Sequence, residues 1–325
     1  MLILRFDFRL APHATATRHE LFSTALDMAE WAERHGALTV MFNEHHSADD
    51  GYLPSPLVMA AAAAARTSTV PISCSALLAL LYDPVKLAED MITLDHLSGG
   101  RVSYTIGLGY RDAEYEMFGV ERRRRGALMD EHLDVLRRAL SGERFSWRGR
   151  TVEVRPLPFS DGGPLLAYGG NSPAAARRAA RNGMLLFAEA ADPDLARIYD
   201  DEATAAGTMP GMAIVPSAGS PTSVFVTDDV DAAWAELGPF LLHDARAYAA
   251  WMGPDARAAS YSPARSVDEL RAEAGPYRIV TPAEAVELVR TQGTLSLQPL
   301  CGGLDPETAW RSLRLIETDV LPALA

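Results

Sequence analysis

Cysteine is scarce in this chain of 325 residues: only Cys74 and Cys301 occur, both inside apolar runs. Two thiols cannot supply a disulfide framework or a zinc ribbon, and a reducing cytoplasm is the expected compartment. Lysine is scarcer still, with Lys86 the single lysine among 30 basic residues. Long hydrophobic runs are missing as well. The longest, Leu57 to Ala65, is far short of the ~18 residues a membrane span needs. The first ten residues, MLILRFDFRL, carry charges and no small-residue cleavage site, so they do not read as an export signal. No Gly-x-Gly-x-x-Gly follows the first apolar run, which removes the main signature of a dinucleotide-binding Rossmann domain. A concentrated basic face is also lacking, since 43 acidic side chains outnumber the basic ones and the net charge is −13. Nucleic acid is therefore not an expected partner. The run Arg122-Arg123-Arg124-Arg125 is the one exception, and it reads either as a solvated, ion-paired helix start or as a contact for an anion.

What is present is alternation. Leu2–Arg9, Leu38–Phe42, Val70–Leu81, Arg101–Gly109, Leu165–Tyr168, Met184–Ala188, Ser223–Val226 and Leu295–Leu300 are short apolar runs of strand type. Helical periodicity separates them, at His19–His35, Pro54–Arg66, Pro84–Leu97, Arg111–Phe118, Arg122–Leu140, Pro173–Asn182, Asp192–Ala206, Asp229–Trp251, Pro282–Thr291 and Asp305–Val320. Near-continuous apolar strands alternating with helices imply a parallel sheet buried on both faces. Eight such units predict an α/β fold, a (β/α)₈ TIM barrel with insertions at the C-terminal face of the strands, as a single domain over residues 1–325. Residues 141–163, with a hairpin pattern at Phe145–Val154, form a predicted insertion. The stretch 253–277, rich in Ala, Pro, Ser and Arg, fits no element and is a candidate lid.

In a barrel the chemistry belongs at the C-terminal strand ends, and four of these carry unusual residues. The second strand runs into Asn43-Glu44-His45-His46. Adjacent side chains on an extended strand point to opposite sides, so at most one of the two histidines should face a central pocket. A satisfied structural histidine is the competing reading. A metal site is not expected, because Glu44, His45 and His46 are consecutive and no second ligand cluster is evident. The fifth strand ends in Gly169-Gly170-Asn171-Ser172-Pro173. Glycines admit close backbone approach and Pro173 suits the first helical position, so the following helix can turn free amides toward an anion. A plain strand-to-helix turn capped by Ser172 explains the same residues. Gly107 and Gly109 either let a flat ring lie over the fourth strand or relieve crowding there.

Taken together, Glu44-His45-His46, Asp83-Pro84, Leu94-Asp95-His96-Leu97-Ser98-Gly99-Gly100-Arg101, Gly107-Leu108-Gly109 and Phe118-Gly119 resemble the bacterial luciferase-like monooxygenase family. The resemblance covers nearly the whole chain, best over Leu38–Gly119 and Leu165–Ala188. It implies reduced FMN, or the deazaflavin F420 in some branches, bound at the barrel mouth. His45 takes the position of the family's active-site histidine and would be the general acid/base, since imidazole titrates near neutrality. Gly169, Gly170 and Ser172 take that of its phosphate turn, and Ser75-Ala76 that of a non-prolyl cis peptide under the ring. Glu44, His46 and Tyr110 would contact substrate or support the site. The chain departs from luciferase at Gly107, in place of a reactive cysteine, and at Leu108, in place of a phosphate-binding arginine. Light emission is thus not implied, and the phosphate would have to rely on backbone amides or on an arginine such as Arg177 or Arg178.

The resemblance implies an oxidoreductase in which reduced FMN and oxygen act on a small organic substrate. A separate NAD(P)H:flavin reductase would supply the flavin, and the chain would form a homodimer. An F420-dependent dehydrogenase or reductase and a non-catalytic flavin-binding barrel are the alternatives. The acidic tail of F420 is poorly matched to a chain of net charge −13.

Overall fold

Strand and helix alternate along the computed structural model as the apolar periodicity requires. It describes residues 1–208, 211–217, 219–253 and 256–324. In chain order the elements are β1 (Leu2–Phe6), α1 (Arg18–Arg34), β2 (Thr39–Phe42), α2 (Pro56–Arg66), β3 (Ile72–Leu77), α3 (Pro84–Ser98), β4 (Val102–Ile106), α4 (Asp112–Met117) and α5 (Arg125–Leu140). A hairpin of β5 (Phe145–Trp147) and β6 (Arg150–Val152) follows, then β7 (Leu166–Gly169), α6 (Pro173–Arg181), β8 (Leu185–Phe187), α7 (Asp194–Ala206) and β9 (Ala213–Ile214). The chain continues with β10 (Ser223–Val226), α8 (Val230–Met252), α9 (Val267–Glu273), β11 (Tyr277–Val280), α10 (Pro282–Gln292), β12 (Leu295–Leu297) and α11 (Pro306–Leu315).

Eight strands form one curled parallel sheet in the order β12-β1-β2-β3-β4-β7-β8-β9. Its middle strands are buried along nearly their whole length, β3 and β4 alternating apolar side chains with the small hydroxyl residues Ser73, Ser75, Ser103 and Thr105. Ser223–Val226 is a strand, as its sequence predicts, but it pairs with β11 in a separate parallel pair instead of joining the sheet. The short β9 fills the eighth place in the sheet. Neither β9 nor β11 was legible: one has two residues and the other hides behind Pro276. Side chains link β10 to the sheet, for Arg5 Nη2 donates to Ser223 Oγ at 3.1 Å, and Ser223 Oγ donates to Gln298 Oε1 at 2.7 Å.

Helix boundaries follow local chemistry. Thr17 and Glu20 make a capping box at α1, and Asp83 caps α3 by accepting from the Val85 and Lys86 amides, each cap satisfying amides a helix start leaves open. The Arg122 run begins as a 3₁₀ turn, Arg122–Arg124, before α5 proper. The β5–β6 hairpin lies within 141–163 as expected, but it follows a helix, so it leaves from the side opposite the strands' C-terminal ends. Of the expected lid 253–277, Pro254 and Asp255 lie outside the described residues. The rest is less irregular than its composition implied, since it holds α9 and the first residue of β11. Both cysteines are buried and free. Among the described residues no helix is long and apolar enough to cross a membrane.

Candidate active site

The ends of five strands converge on one cavity of about 620 Å³. Asn43, Glu44 and His45 reach it after β2, Ser75, Ala76 and Leu78 from β3, and Gly107 to Tyr110 after β4. Gly169 to Ser172 enter from the end of β7, Phe187 and Glu189 from that of β8, and Tyr248 and Met252 close it from α8. Convergence follows from parallel strands sharing one direction, which brings every strand-to-helix turn to the same end.

His45 and His46 diverge. His45 lies at the inner wall: its Nδ1 is 2.8 Å from Glu114 Oε1 and its Nε2 is 3.1 Å from the Tyr110 hydroxyl. Its ring meets Tyr52 and Trp251 at centroid distances of 4.9 Å. Burial lowers its pKa, with Glu114 opposing that shift and Arg9 and Arg111 reinforcing it, so the neutral imidazole is favoured. Burial pushes Glu114 upward, but the His45 hydrogen bond, the His46 amide and Arg111 outweigh it and hold the carboxylate ionised. The Tyr110 phenol is held protonated, chiefly by burial. His46 does not line the cavity; its Nε2 is 2.8 Å from Glu44 Oε1 and its ring stands edge-on to Phe118. Glu44 is buried and also accepts from the Leu78 amide at 2.7 Å and the Tyr82 hydroxyl at 2.6 Å, fixing the turn after β3.

Ser75-Ala76 is a cis peptide. It faces Gly107, where an added Cβ would lie 2.9 Å from the Ala76 Cβ. Glycine at that position is thus required by the neighbouring strand as well as open to a ligand. At the other end of the cavity Ser172 caps α6 through the Ala175 amide, and a Cβ on Gly170 would come within 2.7 Å of the Ala175 Cβ. Asn171 ties this turn to β8, accepting from the Glu189 and Ala190 amides at 2.7 and 2.9 Å. Arg178 lines this end but is engaged with Asp130 Oδ1 at 2.6 Å. Arg177 does not line it and faces Glu202. Arg123 and Arg125 do line it, and neither forms an ion pair among the described residues. The basic run is thus divided: Arg122 and Arg124 pair with Asp112 and Glu121, while Arg123 and Arg125 line the cavity.

Sequence reasoning missed Glu114 as a site residue, and also the aromatic cage behind His45, and it left Arg123 and Arg125 between an ion-paired and an anion-contacting role. Arg9 is fully buried, paired with Asp50 at 2.9 Å and Asp244 at 3.1 Å. Its guanidinium sits over Tyr52, Tyr248 and Trp251 at 4.7, 4.5 and 4.2 Å. Arg111 covers Trp251 at 4.0 Å, so the end of α8 is clasped by two cations beside His45. Nothing local marks Arg9 or Trp251, for Asp50 and Asp244, which pair with Arg9, and Arg9 and Arg111, which cover Trp251, are remote in sequence. The stretch after α8 is pinned to the cavity wall by the Ala190–Ala258 bridge and by the Ala259 amide donating to the Glu189 carbonyl at 2.7 Å. Ser260 lines the cavity. Among the described residues no group of three or more His, Cys, Asp or Glu could hold a metal ion.

The sequence and the fold have counterparts among known proteins. A 4-hydroxyprotoasukamycin monooxygenase from Streptomyces nodosus subsp. asukaensis is 31% identical over 169 residues, 49% of this chain and 44% of that protein. The chain spans less than half the length of the curated relatives it matches. Among solved structures, the monooxygenase RslO1 from Streptomyces bottropensis aligns over 100% of both chains with a TM-score of 0.79 and 25% identity. The FMN complex of the oxygenating constituent of 3,6-diketocamphane monooxygenase from Pseudomonas putida covers 97% of this chain and 98% of its own. Its TM-score is 0.66 at 20% identity. An F420-dependent secondary alcohol dehydrogenase aligns with a TM-score of 0.68 at 18% identity, over 98% of each chain. At these identities the last two show the fold alone. The profile of the luciferase-like monooxygenases matches residues 2–295, and the chain belongs to that family.

Proposed function

We propose that this protein is a flavin-dependent monooxygenase whose (β/α)₈-type barrel uses reduced FMN and oxygen to oxidise a small organic substrate. The observation that carries the reading is one cavity with two unlike ends: a neutral, buried His45 at one, and a glycine turn beside Arg123 and Arg125 at the other. The residues fit FMN, for Gly107, Gly169 and Gly170 leave the cavity wall bare of side chains at those positions, while the arginines and the start of α6 suit a phosphate. When bound, reduced FMN would supply the electrons and the oxygen activation. Gly169, Gly170 and Ser172 would hold its phosphate, and Ser75, Ala76 and Gly107 would lie against its ring. His45 would take up and return the proton that oxygen transfer requires. Tyr52, Tyr248 and Trp251, packed around the His45 ring, would limit water at that end.

A separate NAD(P)H:flavin reductase, a homodimeric state and a cytoplasmic location complete the proposal. F420 is the second reading, and one observation favours it. Arg123 and Arg125 make the open end of the cavity basic although the chain as a whole is acidic, so an acidic tail would meet local positive charge. The deciding experiment adds FMN, FAD and F420, oxidised and reduced, to the purified protein and follows binding and oxygen consumption. Preferential binding of reduced FMN with oxygen uptake supports the monooxygenase. Tight F420 binding without oxygen uptake replaces it with a hydride-transfer enzyme, and flavin binding without any turnover makes the barrel a carrier.

A further inference from the structure

Glu114 stands behind His45 at the cavity wall, with 1% of its surface exposed. Its Oε1 accepts from His45 Nδ1 at 2.8 Å, from the His46 amide at 3.0 Å and from Arg111 Nη1 at 3.3 Å, while its Oε2 is buried without a partner. An ionised carboxylate only accepts, so the hydrogen of neutral His45 must sit on Nδ1. Nε2 is then the lone-pair nitrogen, and the Tyr110 hydroxyl 3.1 Å away donates to it. Tyr110 lines the cavity, so its oxygen lone pairs are left for whatever lies there. Three groups thereby form a directed chain from a buried anion to the cavity.

We propose that Glu114 is the positioning residue that holds His45 in its Nδ1–H form, and that Tyr110 is the catalytic residue through which His45 exchanges its proton with the cavity. This rests on the monooxygenase reading. In the forward sense a donor in the cavity passes a proton to the Tyr110 oxygen as the Tyr110 hydrogen moves to His45 Nε2. The imidazolium so formed lies against the Glu114 carboxylate. Reversal returns the proton, and only O–H and N–H bonds change, so no further reactant is needed. The charged or titratable groups facing His45 are Glu114 and Arg111 near α4, Arg9 after β1, Tyr52 before α2, Tyr110 after β4 and Tyr248 on α8. Of these Glu114 alone is negative and in contact with the ring.

The test is ¹⁵N NMR of histidine-labelled protein, with and without FMN, the His45 signal being assigned by its loss in His45→Asn. Wild type should show Nδ1 protonated at neutral pH. Glu114→Gln keeps an acceptor oxygen that the His46 amide and Arg111 still orient, so the tautomer should persist while His45 titrates at lower pH than in wild type. Glu114→Leu should release the tautomer; if that variant does not fold, the Gln titration decides. An Nε2–H form in wild type, or an unmoved His45 titration in Glu114→Gln, overturns the role of Glu114. Tyr110→Phe should lower substrate oxidation about tenfold to a hundredfold with FMN binding retained; wild-type turnover in that variant overturns the relay. Failure of the monooxygenase reading would appear separately, as absent reduced-FMN binding with the His45 tautomer intact.

Discussion

The two ends of the cavity are built on opposite physical terms. Around His45 the wall is aromatic and tightly packed, and both ring nitrogens of His45 have partners; around Gly170 the wall is glycine, amide and arginine and opens toward solvent. A proton carrier needs a defined tautomer and few competing waters, which a low-dielectric wall provides. A phosphate needs charge and close backbone approach, which survive solvent. If the contrast is right, damage to one end should leave the other's task largely intact.

The largest expected effect is at the dry end. His45→Ala should lower product formation by about 10²–10⁴ while reduced-FMN affinity stays within about tenfold, checked by single-turnover oxidation and by flavin titration. A comparable loss of FMN affinity would merge the two ends. His132, on α5 away from the cavity, shows what dryness does without a partner: it is buried, its Nε2 is unbonded, and burial lowers its pKa to about 4. The folded protein then resists a proton that the unfolded chain accepts near 6.5, so stability present above that pH declines as pH falls toward 4. The expected loss is about 3 kcal/mol, and His132→Gln should flatten it, as read by urea denaturation of both proteins at pH 7.5 and near pH 4.

At the open end, Gly170→Val should weaken FMN at least about tenfold more than riboflavin, because only FMN has a phosphate to lose. Equal weakening in parallel titrations would put the phosphate elsewhere. The smallest effect belongs to the arginines. Arg125→Ala should cost FMN about 0.5–1 kcal/mol, diminishing with added salt, and Arg177→Ala, whose side chain faces Glu202, should change little.

Much of the site was legible because strand ends in a parallel α/β chain converge whatever their sequence separation. Asn43–His45, Ser75–Ala76, Gly107–Tyr110 and Gly169–Ser172 all sit at such ends, and all line the cavity. The divergence of His45 and His46 was legible too, from backbone parity. Glu114 was not, because it lies on a six-residue helix beyond β4 whose pattern shows amphipathicity and nothing of what the buried face meets. Arg123 and Arg125 were ambiguous for the same reason, since four consecutive arginines look alike until a 3₁₀ turn sorts them.

By itself the sequence determined the alternation of apolar strands and helices, the cap at Ser172, and the glycines at the cavity wall. These depend on periodicity, hydrogen-bonding capacity and backbone freedom, which act over a few residues. The tertiary structure alone decided that β9 joins the sheet while β10 pairs with β11, that Arg9 and Arg111 clasp Trp251, and that Glu114 reaches His45 across 69 residues of chain. Such pairings follow from which surfaces meet when one curled sheet is buried on both faces, and no local preference encodes them.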